Sequence, residues 1–282
     1  MMRFSITLAI IAAPAIVLAA CQPAQEGEPV ARVQVGGNAT TPPAATPSAT
    51  IASQVESACR SVIFENTPLT DCIAIPERHR IATALAGPDG VFGSLAAFAT
   101  TRDARTIAFA VNAGMFDDEG RPIGYFVEGG ERAKELNTAA GEGNFHMLPN
   151  GVFFGTGDAW EIRTAEDFKA NVSERPQFGT QSGPMLVIAG KLHPEITHDG
   201  PSRAIRNGVG IDAQGRAHFV ISSAPISFGK LARFYRDALG VKNALYLDGS
   251  VSQLWNPATE RIDGGAPIGP ILVVERKVPD DE

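Results

Sequence analysis

The feature that most constrains the fold of this chain is a long series of short apolar segments that are separated mainly by turns. Residues 106–111 (T-I-A-F-A-V) form one continuous apolar run, which is typical of a buried strand. The predicted strands are 61–64, 71–75, 106–111, 124–128, 151–154, 159–163, 183–188, 207–211, 218–222, 244–247 and 268–275. Helices are predicted only at 94–99, 165–171 and 228–239. This ratio predicts an α+β fold with a mixed, largely antiparallel twisted sheet and a few packed helices.

The first 21 residues have the pattern of an export signal. Arg3 is followed by an apolar stretch that ends in Leu-Ala-Ala-Cys, at residues 18–21. This stretch is too short for a membrane-spanning helix, and small residues at its end favour cleavage, so we predict a signal peptide at 1–20. The pattern resembles a bacterial lipobox, which implies lipidation of Cys21. A plain secretory signal that is cut nearby is the alternative. Because Gln22 is not an aspartate, the lipoprotein is expected on the periplasmic face of the outer membrane.

Composition divides the rest of the chain into a linker, one domain and a short tail. Residues 21–55 are rich in Pro, Ala and Thr and have little apolar surface to bury, which predicts a disordered tether. No break in composition divides 56–277, so we predict a single domain there and a tail at 278–282. The net charge of −7 and the lack of a basic stripe argue against a nucleic-acid partner. We therefore expect membrane contact through the lipid anchor alone.

Besides Cys21, the chain has two cysteines, Cys59 and Cys72. In an exported protein such a pair is expected to form a disulfide. Half of a metal site is the alternative, but no histidine lies at ligand spacing. The chain also lacks a G-x-S-x-G elbow, an H-E-x-x-H pair and a P-loop. We therefore predict neither a metal nor an organic cofactor.

Polar residues follow or precede several of the apolar runs. They include an amide at Asn112, a Gln-Ser pair at 181–182, two arginines within 202–207 and a carboxylate at Asp248. Arginine suits a phosphate, amides and hydroxyls suit sugar hydroxyl groups, and an aspartate can serve as base, nucleophile or metal ligand. Taken singly, each of these residues is more commonly a turn residue or a satisfied polar group at a strand end.

Six blocks of sequence, in this order, resemble the phosphodiester glycosidase family and its bacterial branch in particular. They are N-A-G-M-F (112–116), L-N-T with G-N-F-H (136–146), P-N-G-V-F (149–153), T-Q-S-G-P-M-L-V (180–187), S-R-A-I-R-N-G-V-G (202–210) and N-A-L-Y-L-D-G-S-V-S (243–252). The resemblance extends over residues 59–274. It departs from the animal members at Ser250, where their motif has a second glycine, and this bears on the substrate more than on the reaction.

The resemblance implies an exported hydrolase that cleaves the bond between a sugar's anomeric carbon and a phosphodiester. The expected substrate is a sugar-1-phosphodiester or a phosphorylated glycan of the cell envelope. The expected catalytic residues are Asp248, Arg206 and Asn112. The expected substrate-binding residues are Phe116, His146, Gln181, Ser182, Arg203, Asn207, Ser250 and Ser252.

Three other functions fit the same residues. The first alternative is a lipoprotein that binds phosphorylated glycan without catalysis and does not need Asp248. A structural lipoprotein, whose polar strand ends are only turns, is the second alternative. The third is a metal-dependent phosphodiesterase with Asp248 as a ligand.

Overall fold

Short antiparallel strands are the main secondary structure of the chain that the structure describes. This computed structural model describes residues 55–277. The predicted signal peptide, Cys21, the linker up to residue 54 and the tail at 278–282 lie outside the described residues. In chain order, the strands are β1 (Cys59–Phe64), β2 (Thr67–Ala74), β3 (His79–Ala84), β4 (Ala86–Gly87), β5 (Gly90–Val91), β6 (Ile107–Asn112), β7 (Phe126–Glu128), β8 (Glu131–Lys134), β9 (Gly151–Thr156), β10 (Ala159–Thr164), β11 (Phe178–Ser182), β12 (Met185–Ile188), β13 (Lys191–Leu192), β14 (Asn207–Ile211), β15 (Ala217–Ser222), β16 (Asn243–Tyr246), β17 (Leu254–Asn256), β18 (Arg261–Ile262) and β19 (Ile271–Arg276).

The helices are few and short. They are α1 (Leu95–Ala99), α2 (Ala165–Asn171) and α3 (Phe228–Arg233), which continues into a π-helical turn at Phe234–Ala238. Short 3₁₀ turns lie at Asn144–His146, Gly249–Val251 and Pro257–Thr259. Within residues 55–277, no helix has both the length and the apolar character that a membrane crossing requires.

The strands form three main sheets and one small ribbon. The largest sheet has seven strands in the order β1-β2-β15-β14-β16-β12-β13. Two five-stranded sheets have the orders β10-β9-β11-β7-β8 and β18-β17-β6-β19-β3, and β4 pairs with β5. Every pairing between these named strands is antiparallel.

The inner faces of the three sheets share one apolar core. Its side chains include Phe109 of β6, Phe153 of β9, Phe219 of β15 and Leu272 of β19. The Phe219 ring lies edge-on to the other two phenylalanine rings, with centroids 5.2 Å from that of Phe109 and 5.8 Å from that of Phe153. Because all three sheets bury apolar surface in the same cluster, this core holds them together.

Each helix covers the outer face of one sheet. Helix α1 packs on the β6 sheet, α2 on the β9 sheet, and α3 with its π-helical turn on the seven-stranded sheet. Two glycines of β14 allow the last contact. A Cβ atom at Gly208 or Gly210 would lie 3.3 or 2.7 Å from the ring of Tyr235, so a side chain at Gly210 in particular would push this buried ring away from the sheet.

The structure confirms the predicted α+β class with largely antiparallel strands and few helices. It differs from the prediction in dividing the strands among three sheets. Strands β3, β8, β11 and β17 were among those not predicted. Strand β8 is fully exposed, β17 has only three residues, and neither β3 nor β11 forms a continuous apolar run. The expected disulfide joins Cys59 to Cys72, which are directly paired residues of β1 and β2.

Candidate functional site

Four strand ends meet on one side of the shared core and place most of the predicted site residues together. The main-chain N–H of Asp248, after β16, donates to the Ala113 carbonyl after β6 over 3.0 Å. Leu247 donates to the carbonyl of Asn207, the first residue of β14, over 3.2 Å. The N–H of Gly114 donates to the Thr180 hydroxyl of β11 over 3.1 Å. Residues that are far apart in sequence are therefore joined by main-chain contacts.

The Asn112 side chain connects three of these segments. Its Nδ2 donates to the Asp248 carbonyl over 2.7 Å. Its Oδ1 accepts from the main-chain N–H of Gln253 and from Nδ2 of Asn207, both over 2.9 Å. The Ser252 hydroxyl lies 3.2 Å from Oδ1 of Asn207 and extends the network. Asn112 is buried and all of these bonds are to protein groups, so this geometry makes it a positioning residue for Asp248.

Asp248 is a nearly buried carboxylic acid, with 8% of its surface exposed. Its Oδ1 accepts from the main-chain N–H of Ser250 over 3.0 Å. Burial raises the pKa of Asp248 above the ordinary aspartate value, and the hydrogen bonds from Ser250 oppose this rise only in part. A carboxyl group with a raised pKa, fixed at a strand end, is a suitable group for proton transfer.

Arg206 is also buried, with 2% of its surface exposed. Its Nε donates to the Ile226 carbonyl over 2.8 Å, and Nη1 donates to the Tyr246 hydroxyl over 2.8 Å. Nη2 donates to the carbonyl and hydroxyl oxygens of Ser202, and the guanidinium lies 3.6 Å from the Phe228 ring centroid. These contacts use at most four of the five N–H groups. Within residues 55–277, no carboxylate forms an ion pair with this buried cation.

Gln181 and Ser182 are the last two residues of β11, and the main chain of Gln181 packs against Gly114. The Gln181 side chain accepts from the N–H groups of Tyr125 and Asn137, both over 2.9 Å, and donates to the Asn137 carbonyl. It therefore joins the residue before β7 to the segment after β8. Ser182 is fully buried, and its hydroxyl has no hydrogen-bond partner among the described residues, which leaves this group available to a ligand or to water.

Three predicted binding residues form no hydrogen bond with this cluster. Phe116 is half-buried and packs against Gly269. His146 has its Nδ1 2.9 Å from the Ala139 carbonyl oxygen. Arg203 is exposed and forms a two-point ion pair with Asp199, whose pKa this guanidinium lowers to about 2. Among residues 55–277, no group of three or more His, Cys, Asp or Glu side chains is arranged to hold a metal ion.

A cleft of about 810 Å³ opens next to Asp248. Gly249, Ser250 and Ser252 line one wall, so two of the predicted binding residues face it. The remaining walls come from β15, the segment before β14 and the loop after β18. The volume lies in the range typical of small-molecule sites.

Sequence reasoning did not identify Tyr246 and Gln253 as parts of the site. Tyr246 is two residues before Asp248, and because side chains alternate along a strand, this spacing places both on the same side. Gln253 donates its Nε2 to the Ala266 carbonyl over 2.8 Å, and its buried Oε1 has no partner in the described part of the chain. Nothing in the local sequence distinguishes Gln253 from a surface amide.

Comparison with known proteins shows to which family this chain belongs. The family model for phosphodiester glycosidases matches residues 105–280, which include Asn112, Gln181, Arg206 and Asp248. This chain belongs to the phosphodiester glycosidase family. The match confirms the resemblance in the sequence blocks.

The relatives include one curated bacterial protein. The chain is 38% identical over 177 residues to the uncharacterized protein YigE of Escherichia coli K12, covering 61% of this chain and 66% of YigE. The match thus spans just under two thirds of that relative.

Two solved structures share the fold of this phosphodiester glycosidase family member. The first is the catalytic domain of zebrafish N-acetylglucosamine-1-phosphodiester alpha-N-acetylglucosaminidase, with a TM-score of 0.54 and 14% identity over 78% of this chain and 82% of that chain. The second is a hypothetical protein from Synechocystis, with a TM-score of 0.50 and 16% identity over 78% of this chain and 61% of that chain. At these identities the similarity shows the fold alone.

The Asn112 network predicts a large effect from one substitution. Asn112→Ala leaves the Asp248 carbonyl and the Gln253 N–H without their buried partner, and each such group costs about 1–3 kcal/mol. We expect the free energy of unfolding in urea to fall by about 2 kcal/mol or more. Asn171→Ala is the matched control, because its exposed side chain bonds only to Asp167, and it should change this free energy by less than about 0.5 kcal/mol. Equal effects of the two variants contradict the positioning role of Asn112.

Proposed function

We propose that this chain is an exported hydrolase that cleaves the bond between a sugar's anomeric carbon and a phosphodiester in an envelope or extracellular glycan. Family membership supports the class of reaction. The observation that carries the proposal is the position of Asp248. Its buried carboxyl group has a raised pKa and lies one hydrogen bond from the wall of the cleft of about 810 Å³.

In the proposed reaction, Asp248 accepts a proton from a water molecule while the oxygen of that water attacks the anomeric carbon. The bond between that carbon and the phosphate oxygen breaks, and the phosphate monoester leaves with the bonding electrons. Because a phosphate monoester is already a stable anion, this departure needs less help from a general acid than the departure of a sugar alcohol does. The carboxylate also stabilises the positive charge that develops on the sugar ring.

Arg206 is the proposed source of positive charge for the phosphate. A buried cation without a carboxylate partner is costly in a protein interior, and an anionic substrate offsets part of that cost. The hydrogen bonds to Ile226, Tyr246 and Ser202 hold the guanidinium in one orientation. A fixed charge needs no reorganisation when the leaving group becomes more negative.

The first 21 residues support the proposed location. The predicted signal peptide at 1–20, followed directly by Cys21, supports export and lipidation of Cys21, with the folded part tethered at the periplasmic face of the outer membrane. Such a tether places the enzyme beside envelope glycans.

Asp248→Asn tests the catalytic role. With methyl and aryl 1-phosphodiesters of N-acetylglucosamine, glucose and galactose as donors, we expect the full-length wild type to release free sugar from at least one. The kcat of Asp248→Asn should fall by about 10² to 10⁴, which is the usual contribution of a proton-transfer group. Asp118→Asn, which alters an exposed aspartate near the same cluster in sequence, is the control. Binding of the donor without sugar release by the wild type would indicate the non-catalytic glycan-binding lipoprotein instead.

The same variant should gain stability at neutral pH. A carboxyl group whose pKa is raised by folding stabilises the protein at low pH, and that contribution is lost as the pH rises toward the folded-state pKa, because the unfolded chain releases its proton first. Wild type therefore carries a penalty at pH 7 that Asp248→Asn lacks. Thermal melting should give a higher Tm for Asp248→Asn than for wild type at pH 7, and the difference should shrink below pH 4. A lower Tm at pH 7 contradicts the burial argument.

Arg206→Lys tests the phosphate role, with Arg203→Lys as its control. Lysine keeps the charge of Arg206 but not the planar fork, so we expect kcat/KM to fall about tenfold or more and inhibition by methyl phosphate to weaken. Arg203→Lys alters an exposed, ion-paired arginine and should change kcat/KM less than about twofold. If Arg206→Lys lowers Tm but leaves inhibition by methyl phosphate unchanged, the residue acts only through Tyr246.

Cys21→Ser tests the anchor. After expression of the full chain in a bacterium with a lipoprotein pathway, wild type should be found in the outer-membrane fraction and should incorporate labelled palmitate. The Cys21→Ser protein should lose the label and appear in the soluble fraction. A labelled or membrane-bound Cys21→Ser protein excludes Cys21 as the lipidation site.

A further inference from the structure

Three arginine side chains line a small pocket, which we call the arginine pocket and which shares no lining residue with the cleft beside Asp248. Its volume of about 200 Å³ is below the range of about 300–1,000 Å³ that is typical of small-molecule sites, so it fits one small group. Its lining residues are 56–60, Ile73, Ile75, Arg78, His79 and Arg276. Because they come from strands of two different sheets, the pocket belongs to the folded framework.

The main chain around the arginine pocket is held by hydrogen bonds between its walls. The N–H of Ile73 donates to the Ala58 carbonyl over 2.9 Å. The N–H of Lys277, at the end of β19, donates to the Arg78 carbonyl over 2.9 Å. The lining side chains therefore start from fixed positions before any ligand binds.

Positive charge exceeds negative charge in this lining. Glu56 is its only carboxylate, and it lies 3.1 Å from Nη2 of Arg78. Both of these side chains are more than half exposed, so the ion pair is weak. Arg60 donates to Asp71, which is outside the lining. Arg276 donates to the main-chain carbonyl of Glu56, and no carboxylate of the described chain forms an ion pair with it.

Arg276 shows most clearly that an anion would be favourable in the pocket. Its Nε is buried and has no hydrogen-bond partner among the described residues. Burial, and then repulsion from Arg78, lower the pKa of Arg276 below the ordinary arginine value. Both effects disfavour the charge, which an arginine nevertheless keeps at neutral pH. An anion beside this guanidinium would accept from its N–H groups and offset the repulsion.

His79 adds a neutral donor to the same pocket. Burial, followed by the charges of Arg276 and Arg78, lowers the pKa of His79 to about 4, so the ring is uncharged at pH 7. Its Nδ1 accepts from the Ile75 N–H over 3.0 Å, which places the ring proton on Nε2. No protein group between residues 55 and 277 accepts from Nε2, so this N–H is available to a ligand.

We propose that the arginine pocket binds a phosphate group. Phosphate has several acceptor oxygens, and its geometry matches the planar fork of a guanidinium. The site goes beyond the proposed hydrolysis, since it uses neither Asp248 nor Arg206. Two sources share this chemistry, a soluble phosphate ester and an anionic lipid headgroup. The lipid is included because Glu56 directly follows the predicted linker at 21–55.

Calorimetric titration of the full-length Cys21→Ser protein with inorganic phosphate tests the pocket. Sodium chloride keeps the ionic strength constant, so general screening does not contribute. We expect saturable binding whose Kd rises about tenfold in Arg78→Gln, because this variant lacks a charge-assisted hydrogen bond. Arg105→Gln is the matched control, since Arg105 is exposed and paired with Asp103 outside the pocket, and it should change the Kd less than about twofold.

Glu56→Gln should have the opposite effect. It removes the only carboxylate of the lining, so the Kd for phosphate should fall about threefold. Glu135→Gln is its control, because Glu135 is an exposed partner of Arg132 outside the pocket, and it should leave the Kd unchanged. Tighter binding cannot result from misfolding, so this variant decides the question even if Arg78→Gln disturbs the fold.

Co-sedimentation with vesicles distinguishes the two sources. The probes are phosphatidylcholine vesicles with and without phosphatidylglycerol. Binding to the phosphatidylglycerol vesicles that falls about fivefold in Arg78→Gln, but not in Arg105→Gln, identifies the lipid headgroup. Binding of inorganic phosphate without any preference for these vesicles identifies the soluble phosphate ester.

Three results overturn the proposal. They are the absence of both phosphate binding and a vesicle preference, binding that Arg78→Gln and Glu56→Gln leave unchanged, and an equal loss of binding in Arg105→Gln. Phosphate binding that is lost only in Arg206→Lys places the anion at the proposed catalytic site instead. None of these measurements depends on sugar release, so a failure of the proposed hydrolase function is seen separately.

Discussion

The geometry of the site depends on one amide side chain. Asn112 is at the end of β6, and its hydrogen bonds reach the carbonyl of Asp248, the side chain of Asn207 and the main chain of Gln253. These partners belong to segments whose strands lie in two different sheets. Strand ends lack the regular ladder of hydrogen bonds, so buried polar groups there need a side chain to satisfy them. Asn112 has one acceptor and two donors in a rigid plane, which suits this task.

The main chain of Asp248 is fixed on both sides by this arrangement, through Ala113 and Asn112. The carboxyl group cannot turn freely toward water, and its burial raises its pKa. A charged form that is poorly solvated costs stability at neutral pH, yet the same environment makes the group a better base for water. The network that stabilises the strand ends therefore also holds the Asp248 carboxylate in an environment that is unfavourable for its charge. Groups that serve activity commonly lower the stability of the fold in this way.

The sequence was sufficient to predict the fold class because several central strands contain continuous apolar runs, and β6, β12 and β19 are the clearest cases. It did not predict β8, whose four residues are all exposed. The site was predicted as a set of polar strand ends. The hydrogen bonds of the Asn112 side chain to Asn207 and Asp248 join residues that are 95 and 136 positions away in the sequence, so they follow from the packing of the sheets. For the same reason, the ion pair that occupies Arg203 and the separate position of His146 could not be read from local sequence.

The turn at Gly249 connects the strand that holds Arg206 to the wall of the cleft. The Tyr246 hydroxyl accepts from Arg206 on one side, and Gly249 lies directly against it on the other. Any Cβ atom at Gly249 would overlap with this hydroxyl, so only glycine allows Tyr246 to hold the guanidinium while the chain continues into the wall of the cleft. The order Tyr-Leu-Asp-Gly-Ser therefore places the carboxyl group of Asp248 between the residue that holds Arg206 and the residues that line the cleft.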